Sequence, residues 1–331
     1  MITLKTFIQR GKIIESSHDI KCLIKNYDYK ILFNTGHEDD LVFPRSAIKI
    51  FQSMPFVSSK AYKKFDLNTK CLAISCASHC GESMHIKVLE DWIKKTKISI
   101  HDLKCGTHSP INEQSSRNLF LKGKIPSALH NNCAGKHLAM MTGCLANNMP
   151  IKNYINYNHP YQKLIRKSLE YFTNSKIINK AIGVDGCSAP QYAFKLNDLA
   201  NSMINLIKEK NSKNKYSTQV NIVINSISKF PMLIGGTKRF DSEVIKFTKG
   251  NIFCKGGAEG VLLFVHKIKK IGGIIKISDG NERAIPVAAM QIFNKLNLLN
   301  TIEKKKLKHW NNININNHAK IKVGKIFAKI T

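Results

Sequence analysis

The chain is predicted to be an α+β protein, with an antiparallel sheet built from both chain ends, helices packed on it, and a helical lobe between. Three observations carry this expectation. Short β-rich runs alternate with turn residues at the N-terminus, Gly-punctuated apolar runs recur near the C-terminus, and the middle shows apolar residues at helical spacing. Residues 3–35, with "KCLIKN" and "YKILFN", read as a hairpin or meander. "FPRSAIKIFQSM" follows, where Pro44 and Arg45 precede a stretch apolar on nearly every side, a buried helix beginning near Ser46. "CLAISCASHCGE" is a short apolar run ending in a Ser/His/Cys/Gly turn, and helical pieces with polar loops run from 84 to about 125. "AGKHLAMMTGCLANN" is helical, as are 161–173 and 196–210, whose apolar residues recur at i, i+3 and i+4. Three β-like runs at 252–255, 261–265 and 273–277, joined by Gly-rich turns, give an antiparallel meander; "RAIPVAAMQIFNKLNLL" is then a helix. The Lys- and Asn-rich tail after about 303 is expected to be weakly structured. One domain, 1–331, is expected, with a sheet lobe of about 1–45 and 215–331 and a helical lobe of about 46–214.

At 331 residues, with 43% hydrophobic and 22% charged, the chain can bury a sizeable core. It contains neither a run long enough to span a membrane nor the apolar stretch of a secretory signal, so a cytoplasmic protein is expected. Nine scattered cysteines without a CxxC are read mostly as reduced, buried thiols. The formal net charge of +30 invites a nucleic-acid reading, yet 46 of the 52 basic residues are Lys. Arginine forks interleaved with aromatics favour phosphate and base recognition, and these are missing here, so nucleic acid is not the expected partner. Against this background the few arginines stand out; Arg45, Arg239 and Arg283 fall beside Gly- and Ser-bearing motifs.

Ser46-Ala-Ile-Lys49 is an S-x-x-K. Positions i and i+3 share a helix face, so an amine can reach a hydroxyl there. An apolar helix face desolvates a lysine and favours the neutral amine that a general base must be. The same spacing at Ser212–Lys215 and Ser226–Lys229 lies in polar or unremarkable surroundings and reads as chance. Acyl enzymes of the Ser-Lys type add a serine on a nearby turn and a Lys-x-Gly strand; Ser78 in "ASHCGE" and Lys255 in "CKGGAEG" answer to these in order. Cys133 and Lys136 lie one helical turn apart, and "GVDGCSAPQY" puts Cys187 between Asp185 and Ser188. Two thiolates and a neutral amine could bind zinc; the same residues could equally be buried structural thiols. His137 and His130 are read as satisfied polar residues.

The motifs "FPRSAIKIFQSMP", "CLAISCASHCGE", "HNNCAGKHLAMM", "GVDGCSAPQYAF", "PMLIGGTKRFD", "KGGAEGV" and "IKISDGNERA" run in the order and at about the spacing of the rhizobial-type L-asparaginases. The chain resembles that family across residues 43–284. The resemblance implies a serine β-lactamase/glutaminase-like fold, hydrolysis of L-asparagine to L-aspartate and ammonia, and a homodimer. It implies Ser-Lys pairs at Ser46–Lys49 and Ser78–Lys255, zinc held by Cys133, Lys136 and Cys187, and Arg45 and Asp185 near the substrate. One departure is Cys80, where the family has Asn after Ser-His; a thiol donates and accepts hydrogen bonds less well than an amide. A glutaminase, a broader Ser-Lys amidase and a non-catalytic amino-acid binder are the rival readings.

Overall fold

The computed structural model describes residues 2–331, and they form two compact units. The first takes the chain up to Ala47, then Phe194–Ile207 and Glu243–Thr331; the second takes Ile48–Ala193 and Lys208–Ser242.

The first unit is built on an eight-stranded antiparallel sheet. Its strands are β1 (Leu4–Arg10), β2 (Ile13–Lys25), β3 (Ile31–Asn34), β4 (Ile252–Gly257), β5 (Val261–His266), β6 (Ile271–Ile277), β7 (Asn312–Asn316) and β8 (Lys322–Ile330). Their order is β7-β8-β1-β2-β6-β5-β4, with β3 also paired to β2. Long β2 joins the two halves, pairing β1 through Ile13–Asp19 and β6 through Ile20–Lys25. Every residue of β5 is buried, which is why "VLLFVH" reads as a continuous apolar run rather than an alternating one. Helix Ile285–Lys295 packs against the sheet, with the rings of Phe293 and Phe264 5.0 Å apart.

The tail departs from the sequence expectation. Its last strand, β8, pairs along the whole of β1, from Leu4↔Ile330 to Arg10↔Gly324, and β7 covers its other edge. Buried Ile326 meets Ile8 and Val287, with Ile313, Ile315 and Ala328 around them. The period-two pattern is present in "KVGKIFAKI", but lysines on the solvent side hide it among the many other lysines.

The second unit is mostly helical. Helix Ala134–Ala146 is buried on all sides from Ala134 to Cys144, so apart from Lys136, His137 and Thr142 that stretch is apolar on every face and carries little amphipathic signal. Around it lie Met54–Ser58, Thr69–Ile74, Ser83–Thr96 and Pro160–Thr173. Trp92 Nε1 donates to Thr142 Oγ1 at 2.9 Å, and the Phe51 and Phe172 rings stack at 4.7 Å. The helix expected from Ser46 is broken up: Arg45–Ile48 is a 3₁₀ turn, followed by Lys49–Gln52 and Met54–Ser58. Proline at the second helix's start has no N–H to continue the ladder from the first.

Candidate active site

In the second unit, helix Thr69–Ile74 is capped by the Asn68 side chain and runs into the turn that carries Ser78. That turn is clamped by a short ladder. Ser78 N–H donates to Ile234 O and Cys80 N–H to Gly235 O, both at 2.9 Å. The Cys80 thiol donates to the same Gly235 carbonyl at 2.7 Å, so the residue that departs from the family pattern is absorbed into the turn's own bonding. Glu82 closes the clamp, accepting from Thr237 N–H and Oγ1 at 2.7 Å each.

Helix Ala134–Ala146 starts against this turn because Gly135 has no side chain. A Cβ there would stand 2.2 Å from the Ile74 carbonyl oxygen. Asn131 fixes the approach, accepting from Cys133 N–H and donating to Cys105 O at 2.8 Å each. Cys187 and Asp185 come from the tight connection between strands Ile182–Val184 and Pro190–Tyr192, closed by Asp185 N–H to Ala189 O and Ser188 N–H to Asp185 O.

Two polar clusters result, and Lys49 joins them. Its amine is buried, 1% exposed, and donates to Ala77 O at 2.5 Å, Ser78 Oγ at 3.1 Å and Cys133 Sγ at 3.2 Å. These three polar partners make such burial tolerable. The sequence pairs Lys49 with Ser46; the contacts that the structure gives its amine are to the second serine and the first thiol. Lys136 Nζ donates to Cys187 Sγ at 3.0 Å, and the Cys187 thiol to Asp185 Oδ2 at 3.0 Å, with Lys136 and Asp185 4.0 Å apart.

The charge distribution follows from these contacts. A hydrogen bond from Cys187 holds the Cys133 thiol well below its ordinary range; Lys49 and Lys136 add to this against the cost of burial. The same pairing with Cys133, followed by burial, pushes Cys187 up. Burial opposes the charge of Lys136, but Cys187, Cys133 and Asp185 outweigh it and raise the amine. The sulfurs of Cys133 and Cys187 and a carboxylate oxygen of Asp185 lie within 4.8 Å of one another. A tetrahedral ion with sulfur ligands keeps them about 3.8 Å apart. Two sulfurs, an amine and a carboxylate suit a borderline-soft divalent ion, provided Lys136 gives up its proton on binding.

The first unit holds the other predicted residues. Arg45 sits at φ 51°, a left-handed conformation that a side chain seldom adopts, and its guanidinium lies 4.0 Å from Glu259. Gly257 lets β4 pass close to this turn: a Cβ there would lie 2.4 Å from Pro44 O and 3.2 Å from Ser46 N. Lys255 is 1% exposed and donates to Gly256 O at 2.7 Å. Both lysines of the predicted pairs are thus buried, while Ser46 and Ser78 are half-buried. Arg283, flagged by the sequence, donates instead to His18 Nε2 (3.1 Å) and Ser16 Oγ (3.3 Å), and His18 Nδ1 meets Asp279 at 2.5 Å. That network pins the end of β6 to β2.

Beside Ser78 the rings of buried His79 and His85 stack at 5.1 Å. Burial holds both below the ordinary histidine range, His79 well below it. Folded, they stay neutral, whereas an unfolded chain protonates them below about pH 6.5. Their contribution is therefore fully present above that pH and is lost as pH falls below it, by about 1.4 kcal/mol per pH unit for His79. Urea midpoints at pH 7.5, 6.5 and 5.5 should drop steeply over the last interval; a flat profile refutes this account.

Fold and site together define an α+β protein in which one buried lysine bridges a serine hydroxyl and a cysteine sulfur, beside a second amine–thiol–carboxylate cluster. The L-asparaginase II family matches residues 7–328, and the chain belongs to that family of asparaginase-type amidohydrolases. A comparison with curated proteins returns no match. Among solved structures, a candidate β-lactamase of Bacteroides dorei DSM 17855 aligns over 88% of this chain and 92% of its own, at 10% identity and a TM-score of 0.43. No helix among the described residues is long and apolar enough to cross a membrane.

Sequence reasoning missed two supporting residues. Asn131 had a local signal, an Asn three residues before the helix that it helps to start. Tyr154, which meets His137, had none, because only folding brings its loop back to that helix.

Proposed function

We propose that the protein hydrolyses the side-chain amide of L-asparagine to L-aspartate and ammonia through a serine acyl-enzyme. The observation that carries this is the family match across residues 7–328. Ser46 Oγ attacks the amide carbon while the neutral Lys49 amine takes its proton. The tetrahedral oxyanion collapses, the C–N bond breaks, and ammonia leaves with a proton returned by the lysine. Water then attacks the β-aspartyl ester, giving aspartate and restoring the serine. Ser78, 3.1 Å from the Lys49 amine, is suited to pass a proton to the leaving group, and Lys255 is its partner in the second Ser-Lys pair. Arg45 supplies a cation for the substrate carboxylate and Asp185 an acceptor for its ammonium.

The metal proposed for Cys133, Lys136 and Cys187, with Asp185 beside them, is zinc. When bound it supplies a fixed positive charge that anchors and polarises substrate. A homodimer in the cytoplasm completes the proposal; nine buried cysteines in the thiol form suit a reducing compartment.

Purified protein should release ammonia from L-asparagine and much less from L-glutamine. Equal release from both favours the broader amidase, and binding of asparagine without turnover favours the non-catalytic relative. For the metal, Cys133→Ser combined with Cys187→Ser should lower zinc from about one equivalent per chain to near zero by elemental analysis. Zinc that stays stoichiometric means that other residues hold it.

A further inference from the structure

The sequence reads His137 as a satisfied polar residue; the structure satisfies only half of it. The ring is fully buried, and its Nδ1 lies 2.6 Å from the Tyr154 hydroxyl, but its Nε2 has no partner. Tyr154, also fully buried, already accepts the Lys104 backbone N–H at 2.9 Å. Were its oxygen to accept from Nδ1 as well, the phenol's own proton would have no acceptor. The arrangement that serves all three groups has the phenol donating to Nδ1, which puts the ring's single proton on Nε2.

His137 directly follows Lys136 in the first turns of the buried helix whose N-cap is Cys133, which sets the ring next to both clusters. Lys49 directs its N–H groups at Ala77, Ser78 and Cys133, and Lys136 directs one at Cys187. His137 Nε2–H is a donor beside the site with nothing to donate to. Folds rarely leave a buried N–H unmet, because its lost hydration is not recovered. An amino acid brings carboxylate and carbonyl oxygens, the acceptors that this corner lacks.

We infer that His137 is a substrate-contacting residue: its Nε2–H hydrogen-bonds an oxygen of the bound amino acid, and Tyr154 is the positioning residue that fixes its tautomer. The inference deepens the asparaginase reading and rests on it. The test compares His137→Leu, His137→Gln (whose amide nitrogen can reach the Nε2 position) and Tyr154→Phe with wild type. It measures kcat and KM for asparagine, aspartate affinity by calorimetry, zinc content and thermal stability.

His137→Leu should weaken aspartate binding and lower kcat/KM by about 10- to 100-fold, the range for a hydrogen bond to a charged or reacting oxygen. His137→Gln should recover most of this, Tyr154→Phe should fall between, and zinc should stay at the wild-type level in all three. Wild-type binding and turnover in His137→Leu would overturn the inference and leave a resident water as the donor's partner. Loss of zinc, or equal losses in Leu and Gln that track thermal stability, would overturn it in favour of a structural role. A wild type that neither turns over asparagine nor binds aspartate removes the family reading and this inference with it.

Discussion

Replacing Ser46 with alanine lowers ammonia release from asparagine by at least about 10³-fold, because no acyl-enzyme forms without its nucleophile. Stability should change by no more than about 0.5 kcal/mol, since the hydroxyl sits half-buried on a turn whose backbone alanine preserves. Steady-state ammonia assays and thermal unfolding check both parts. Ser78→Ala is the control, because Ser78 also lies within reach of the Lys49 amine. If Ser46→Ala keeps near-normal turnover while Ser78→Ala loses it, the nucleophile is Ser78. A mass-spectrometric search for the β-aspartyl ester at each serine then settles the assignment.

Lys49→Met should be comparably damaging. The substitution keeps the length and removes the amine, so the proposed general base is lost, an effect of about 10²- to 10⁴-fold on kcat. It also strands the Ala77 carbonyl and Ser78 hydroxyl and leaves Cys133 without one of its two lysine neighbours. A stability loss of roughly 1–3 kcal/mol follows for groups left unsatisfied in the interior. Lys49→Arg should not rescue activity, because a guanidinium cannot surrender its proton to act as a base. Should either variant retain a tenth of wild-type kcat, Lys49 is not the base.

Much of the architecture was legible because sheet and helix periods survive the composition. Glycines around β4 to β6 mark their turns, and the helices at 161–173 and 196–210 keep a clear apolar face. The 134–146 helix was legible from length and apolar content alone, its burial on every side having erased the periodicity. The tail strands failed for a different reason. Five of the nine residues of β8 are lysine, glycine or alanine, and the alternation acquires meaning only once β1 lies beside it. At the site, residue types and spacing singled out these side chains but kept two groups apart. The contact of Lys49 with Cys133 spans 84 residues and exists only because Gly135 admits the Ile74 carbonyl. The orphaned proton of His137 was illegible altogether, since it depends on which atom of Tyr154 faces the ring.

The chain passes between its two units four times, at 47/48, 193/194, 207/208 and 242/243. Neither unit is therefore a contiguous stretch that could be excised, expressed or evolved as a module. During synthesis the first unit's sheet has to wait: β1 and β2 can form a hairpin early, but β1 keeps an open edge until β8 emerges. The backbones of Thr3 and Thr331 bond to each other across a separation of 328 residues. Such closure makes for slow assembly and a long-lived exposed strand, the condition in which nascent chains recruit chaperones or aggregate.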